Sequence, residues 1–153
     1  MRGKILAVCI SKEKGTQKQD VGSAFIKVDH GIEGDAHSGP WHRQVSLLAD
    51  ESIEKMRNKG INLTYGDFGE NIVTQGIDLL ELGVGSTVKL GDAVVGEVSQ
   101  IGKVCHDRCA IYFKTGDCIM PREGIFVKIL TGGNVTVGDQ IEVIHKCSPT
   151  TEQ

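Results

Sequence analysis

The sequence is poor in the residues that build helical bundles. Its 153 residues include only 6 Ala and 9 Leu, against 15 Val and 15 Ile. β-branched residues fit a pleated sheet, whereas Ala and Leu favour helices. The 20 glycines show no period of three, which excludes a collagen-like chain. The composition therefore argues against a helical bundle and predicts short strands joined by many tight turns.

Several function classes are disfavoured by features that the sequence lacks. No apolar run approaches the ~18–20 residues that span a bilayer, so we expect no membrane association. With 17 basic and 20 acidic residues, the net charge of -3 gives no electrostatic footprint for nucleic acid. The first residues lack a signal-peptide cleavage pattern, which predicts a cytoplasmic location. Without repeats or linkers, we expect one domain over residues 1–153, with a core of about 3–145 and a polar tail at 146–153.

Short β-branched segments alternate with glycine-rich turns, a pattern typical of a sandwich or barrel. The predicted strands cover residues 3–10, 24–29, 43–49, 71–74, 87–90, 93–99, 124–130 and 140–144. One helix is expected at 50–59, with Asp50 as its N-cap and Gly60 as its C′ residue. Residues 11–22 and 30–42 are predicted loops, 132–134 a turn, and Gly91-Asp92 the two turn residues of a hairpin. The fold class is therefore predicted as mainly β with a few short helices.

Three of the five cysteines fall within 14 residues, beside a histidine: Cys105, His106, Cys109 and Cys118. An odd number of cysteines in a reducing compartment predicts free thiols. The spacing is a weak match to a structural zinc site. Because Lys103, His106 and Arg108 flank the thiols, a reactive thiolate that carries sulfur is a second interpretation. Buried, inert thiols are a third, and this one is favoured for Cys9, while Cys147 is expected to be an incidental exposed thiol.

Two loops carry further candidate ligand groups. His37, His42, Arg43 and Gln44 fall within eight residues, a set that suits an anionic or heterocyclic ligand. A solvated loop anchored by Trp41 is an equally good interpretation. The sequence GDFGEN at 66–71 could form a ligand rim, although a tight turn is the simpler hypothesis. It lacks the GK[ST] of a phosphate-binding loop.

Four segments in this order resemble the MOSC domain, named for the C-terminal domain of molybdenum cofactor sulfurase. They are GIEGDAHSGPWHRQVSLL (31–48), GDFGENI (66–72), LGVGSTVKLGDAVVGEVSQ (82–100) and GKVC (102–105). The similarity runs from about residue 3 to 145 and is closest to small stand-alone prokaryotic forms. It implies a β-barrel with a cleft for a molybdenum–pterin cofactor or a related sulfur-bearing species.

The resemblance also implies roles for individual residues. The family's characteristic cysteine falls on Cys105, which would carry sulfur or ligate molybdenum, although Val104 stands where the family often has proline. We expect the cofactor to be bound by His37, His42, Arg43, Gln44, Gly69, Glu70, Asn71, Lys103 and Arg122. The glycines at 34, 39, 66 and 69 would let the backbone approach it. Pyridoxal phosphate is not expected, because it belongs to a sulfurase domain that this sequence does not contain.

Three functions follow as hypotheses. The first is cofactor binding with sulfur transfer on Cys105, the partners being cofactor-synthesis enzymes and a cysteine desulfurase as sulfur donor. The second is a non-catalytic zinc or thiol module that docks on a cofactor-synthesis enzyme, with His106, Cys109 and Cys118 as metal ligands. The third is a small molybdenum-dependent reductase of N-hydroxylated compounds, which the short chain disfavours. Turnover itself is left open.

Overall fold

The computed structural model describes residues 1–102 and 123–149. Strands dominate this part of the chain: β1 to β11 are Arg2–Ile10, Gln19–Asp20, Ser23–Lys27, Gly31–Ile32, Val45–Ala49, Ile72–Gln75, Thr87–Leu90, Val94–Ile101, Ile125–Thr131, Gly133–Thr136 and Gln140–His145. The described helical elements are α1, Asp50–Arg57, and a 3₁₀ turn, Leu79–Glu81. The predicted mainly β class is confirmed.

Seven strands close into a barrel in the order β11-β7-β8-β9-β5-β6-β1, and β1 pairs with β11 to complete the ring. Every pairing in the ring is antiparallel except β5 with β6. Parallel neighbours need a crossover connection, and α1 provides part of it. A smaller sheet, in the order β10-β3-β4, accompanies the barrel. Among the described residues, no helix is long and apolar enough to cross a membrane.

The strands behind α1 are buried on both faces. Successive side chains of a strand point to opposite sides of the sheet. In β5, Leu47 packs in the barrel interior and Leu48 in a second cluster with Ile53 and Met56 of α1. All five residues of β5 are therefore buried, whereas β7 alternates between buried and half-buried positions. A strand covered on both sides is apolar at nearly every position, and residues 45–49 read VSLLA, in which the one polar residue, Ser46, bonds to Asn71.

The helix starts one residue earlier than the predicted cap implies. Asp50 is its first residue, and Ala49 occupies the N-cap position without a side-chain cap. The Asp50 carboxylate instead accepts a hydrogen bond from the Tyr65 hydroxyl at 2.8 Å. The helix ends at Arg57 rather than residue 59, and Gly60 follows with φ +90°. The expectation that Asp50 caps the helix was wrong, because its side chain is engaged by Tyr65.

Some predicted loops contain short strands. The 11–22 loop includes β2, paired with β1, and the 30–42 loop includes β4, paired with β3. The predicted 132–134 turn is also wrong, because Gly133 and Asn134 are the first residues of β10 and pair with Ile26 and Phe25 of β3. The β7–β8 hairpin pairs Leu90 with Val94, so its loop has three residues rather than two.

The start of the predicted polar tail is held against the barrel. The carbonyl oxygen of Cys147 accepts hydrogen bonds from the Gly83 amide at 2.7 Å and the Ser86 hydroxyl at 3.2 Å. The Ser86 hydroxyl also accepts from the Cys147 amide. Cys147 is consequently half-buried rather than an exposed thiol.

Candidate functional site

The loop of residues 37–43 lies at the C-terminal end of β8. Arg43 Nε donates to Gln100 Oε1 at 3.2 Å, and the Ser99 hydroxyl donates to the carbonyl oxygen of His42. Ser99 and Gln100 are among the last residues of β8, and the sequence then continues through Gly102 toward Cys105. The fold thus brings the 37–43 loop to the strand end from which the cysteine segment departs.

Trp41 organises the cationic groups of this loop. Its indole N–H donates to the carbonyl oxygen of His37 at 2.7 Å, and its ring lies parallel to the His37 imidazole with centroids 6.4 Å apart. The Lys14 ammonium lies 4.9 Å and the Arg43 guanidinium 5.8 Å from the indole centroid. The His42 and Trp41 rings form an edge-to-face pair with centroids 5.6 Å apart. One aromatic ring therefore gathers two permanent cations and two imidazoles.

A buried lysine that sequence reasoning missed supports this loop from behind. The ammonium of Lys18 contacts Asp35 Oδ1 at 2.7 Å, Ser11 Oγ at 3.1 Å and His37 Nδ1 at 3.0 Å. The side chains of Lys18 and Asp35 are fully buried. We call Lys18, Ser11, Asp35 and His37 the Lys18 network. The residue stands in the polar stretch KEKGTQKQD, where nothing distinguishes it from its neighbours.

Gln44 and Asn71 are buried, and their amides bond within the protein. Gln44 donates to Asp29 Oδ1 at 2.9 Å and accepts from the Ile129 amide at 2.8 Å. Asn71 Oδ1 accepts from the amide and hydroxyl of Ser46, and its Nδ2 donates to the carbonyl oxygen of Cys9 at 2.9 Å. Because both side chains are almost completely buried, neither amide is presented at the surface to a ring.

Glu70 holds the turn of residues 66–70 together. Its two carboxylate oxygens accept hydrogen bonds from the Gly66 amide at 2.9 Å and the Phe68 amide at 3.0 Å. The turn is further closed by the Gly69 amide, which donates to the carbonyl oxygen of Gly66. Like the side-chain amides of Gln44 and Asn71, the carboxyl group of the fully buried Glu70 is directed into the protein.

The backbone that lies close to Gly66 belongs to another segment of the protein itself. A Cβ there would lie 2.0 Å from the carbonyl oxygen of Lys18, whereas Gly34 and Gly39 would meet only side-chain atoms at 3.9 Å or more. The Lys18 amide also donates to the carbonyl oxygen of Gly66 at 2.8 Å. Gly66 therefore serves packing between two loops.

Six predicted site residues fall outside the described part of the chain: Lys103, Cys105, His106, Cys109, Cys118 and Arg122. Their predicted roles stay predictions. Within residues 1–102 and 123–149, no three His, Cys, Asp or Glu side chains group as a metal site. Cys9 is fully buried, and burial raises the pKa of its thiol, as expected for an inert core cysteine.

Comparison with known proteins identifies the family. The sequence profile of the MOSC domain matches residues 34–142, more than two thirds of the chain. The chain belongs to the MOSC domain family. The match includes His37 to Arg43, the 66–71 turn and β8, whereas Lys14 and Lys18 precede it. No curated protein matches the chain.

Solved structures share the fold of this MOSC domain. The YuaD protein from Bacillus subtilis has a TM-score of 0.77 at 20% identity, covering 96% of this chain and 97% of that one. YiiM from Geobacillus stearothermophilus has a TM-score of 0.71 at 19% identity, covering 93% of this chain and 75% of that one. YiiM from Escherichia coli has a TM-score of 0.70 at 19% identity, with coverage of 99% and 73%. At these identities the likeness concerns the fold alone.

The MOSC domain should lose stability as Glu70 ionises. Burial raises the pKa of this carboxyl from about 4.5 to about 7, against the opposing effect of its backbone hydrogen bonds. Between these values the folded state holds a proton that the unfolded chain has released. Raising the pH through this window therefore lowers the free energy of unfolding, by up to about 3 kcal/mol.

Urea denaturation of the wild type and Glu70→Gln at about pH 5 and about pH 8 measures this effect. The stability advantage of the wild type over the variant should shrink toward the higher pH. Glu13→Gln, at an exposed position, should behave as the wild type does. An advantage that stays the same at both pH values would show that Glu70 titrates normally.

Proposed function

We propose that this MOSC domain binds a molybdenum–pterin cofactor beside the 37–43 loop and carries sulfur on Cys105. The observation that supports the proposal best is the Arg43–Gln100 hydrogen bond. It fixes a cationic loop at the end of β8, and only two residues separate Gly102 from Cys105 in the sequence. Membership of the family links the domain to molybdenum cofactor chemistry in general.

The donor set of the loop fits an anionic, ring-bearing ligand. Neither Lys14 nor Arg43 has a carboxylate partner among the described residues. Cations without a carboxylate partner attract an anion, and a guanidinium can bind phosphate through two parallel hydrogen bonds. In this proposal Arg43 and Lys14 hold the phosphate, and His37 and His42 hydrogen-bond polar atoms of the ligand.

When bound, the cofactor supplies a metal that favours sulfur ligands. The sulfur step requires only a thiol chemistry that is general for cysteine. The Cys105 thiolate attacks the outer sulfur of a donor persulfide, a new S–S bond forms, the donor's S–S bond breaks, and the donor leaves as a thiolate. A cysteine desulfurase is the proposed donor, and cofactor-synthesis enzymes are the proposed partners. A cytoplasmic location, where thiols stay reduced, suits this chemistry.

Mass spectrometry of the native protein after incubation with a cysteine desulfurase tests the carrier role. We expect a gain of about 32 Da, one sulfur atom, on Cys105. Cys105→Ser should abolish this gain and lower the molybdenum and oxidised pterin retained after expression in a cofactor-producing host.

Cys147→Ser is the matched control, because this thiol is half-buried and its backbone is bonded to Gly83 and Ser86 of the barrel wall. It should accept the same sulfur load as the wild type. If Cys105→Ser keeps both the persulfide and the cofactor at wild-type levels, the proposed role of Cys105 is wrong. Stoichiometric zinc without pterin in the wild type would instead favour a docking module.

A further inference from the structure

The protonation state of His37 is set by its neighbours in the Lys18 network. A lysine ammonium has three N–H donors and no acceptor. Among the described residues, Lys18 Nζ lies 2.7 Å from Asp35 Oδ1, 3.0 Å from His37 Nδ1 and 3.1 Å from Ser11 Oγ. Because the ammonium can only donate, His37 Nδ1 has to accept. A neutral imidazole that accepts at Nδ1 carries its proton on Nε2.

The rest of the network keeps Lys18 charged and His37 in position. Asp35, the ion-pair partner of Lys18, also accepts hydrogen bonds from the Ser11 amide at 3.1 Å and the His37 amide at 3.2 Å. The carbonyl oxygen of His37 accepts from the indole N–H of Trp41. The backbone of His37 and its ring nitrogen Nδ1 are thus both held by the Lys18 network and Trp41.

We propose that Lys18 is a positioning residue that holds His37 as a neutral imidazole with its proton on Nε2, so that His37 acts as a hydrogen-bond donor. A ligand atom that meets Nε2 must then be an acceptor: a phosphate or carbonyl oxygen, a pyridine-type ring nitrogen or a thiolate. An amino group is rejected there, because two donors would face each other. His37 in this way selects the edge of a heterocycle that faces it.

His37 and Arg43 also differ in the charge that they bring to the loop. Arg43 and Lys14 bring permanent positive charge to the Trp41 ring, whereas a neutral His37 adds none. The loop therefore divides its work between attraction of an anion by the two cations and orientation of the ligand by His37. Only the statement that the loop meets a ligand rests on the proposed function. The tautomer itself is a property of the protein alone.

Nitrogen-15 spectroscopy of the histidine rings at neutral pH tests the proposal directly. In the wild type, His37 Nδ1 should resonate as a pyridine-type nitrogen and Nε2 as a pyrrole-type nitrogen, with the signals assigned through His37→Gln. The exposed His145 provides an internal reference in the same spectrum. Averaged shifts at His37, or a proton on Nδ1, would overturn the proposal whether or not the domain binds a cofactor.

Lys18→Met tests the positioning role. It should shift both His37 nitrogens toward averaged values, a change that a purely structural lysine would not cause. Since this variant leaves Asp35 buried without its partner, Lys18→Met/Asp35→Asn removes both charges together and should give the same loss of the fixed tautomer. Unchanged His37 shifts in a folded variant would overturn the role of Lys18.

Discussion

Replacing Gly66 with alanine should destabilise the domain by about 4 kcal/mol or prevent folding. Gly66 has φ +97°, and a Cβ built on it would lie 2.0 Å from the carbonyl oxygen and 2.6 Å from the carbonyl carbon of Lys18. Both are backbone atoms, so no side-chain rotation can relieve the overlap. The two segments would have to separate and lose the hydrogen bond from the Lys18 amide to the carbonyl oxygen of Gly66.

Gly22→Ala is the matched control for this variant. Gly22 has φ +78°, yet a Cβ there would meet nothing within 4 Å. Gly22→Ala should lower the free energy of unfolding by only about 1–2 kcal/mol, the cost of a side chain on a residue in the left-handed region. Thermal unfolding of the two variants separates backbone strain from the clash. If their melting temperatures agree, the loops are not as closely apposed as the structure shows.

The effect of Gly66→Ala should extend to the site. Lys18 contacts Gly66 through its backbone and His37 through its side chain. A folded Gly66→Ala protein would therefore have a displaced Lys18 network and a weakened hold on the 37–43 loop. Hydrogen exchange of the amides from 35 to 43 should be faster in it than in Gly22→Ala.

The barrel could be predicted from the sequence because local patterns determine its strands. β1, β7 and β11 lie within one or two residues of their predicted positions, since β-branched residues bounded by glycine turns carry the signal. The short strands β2 and β4 could not be predicted. Each has two residues, and each exists only because a neighbouring strand offers it a partner.

The site was harder to predict, because residue type does not distinguish a ligand group from an internal bridge. The Gln44 amide has a donor and an acceptor that would suit a ring. In the fold they bond to Asp29 and to the Ile129 amide. The position of Gln44 directly before the buried strand β5 was the available signal that it points inward. Lys18 gave no such signal. Its partners Asp35 and Gly66 lie 17 and 48 residues away, and only the folded chain brings them together.

Asn71→Ala should lower the free energy of unfolding by about 3–4 kcal/mol. A loss of this size distinguishes a structural role of Asn71 from a role in reading a cofactor ring. The change removes bonds to the amide and hydroxyl of Ser46 in β5 and to the carbonyl oxygen of Cys9 in β1. Each buried group left without a partner costs about 1–3 kcal/mol. For a domain of this size, the melting temperature should fall by about 6–15 °C.

Asn134→Ala, at an exposed position of β10, should change the melting temperature little and serves as the control. A residue whose main role is to read a cofactor ring would show the opposite pattern to that expected for Asn71. Its replacement would lower cofactor retention and leave the cofactor-free protein as stable as the wild type. Because every polar atom of the Asn71 amide that could meet a ring already bonds to β1 or β5, we expect the loss of stability to come first. Any loss of cofactor should then follow the displacement of the 66–71 turn.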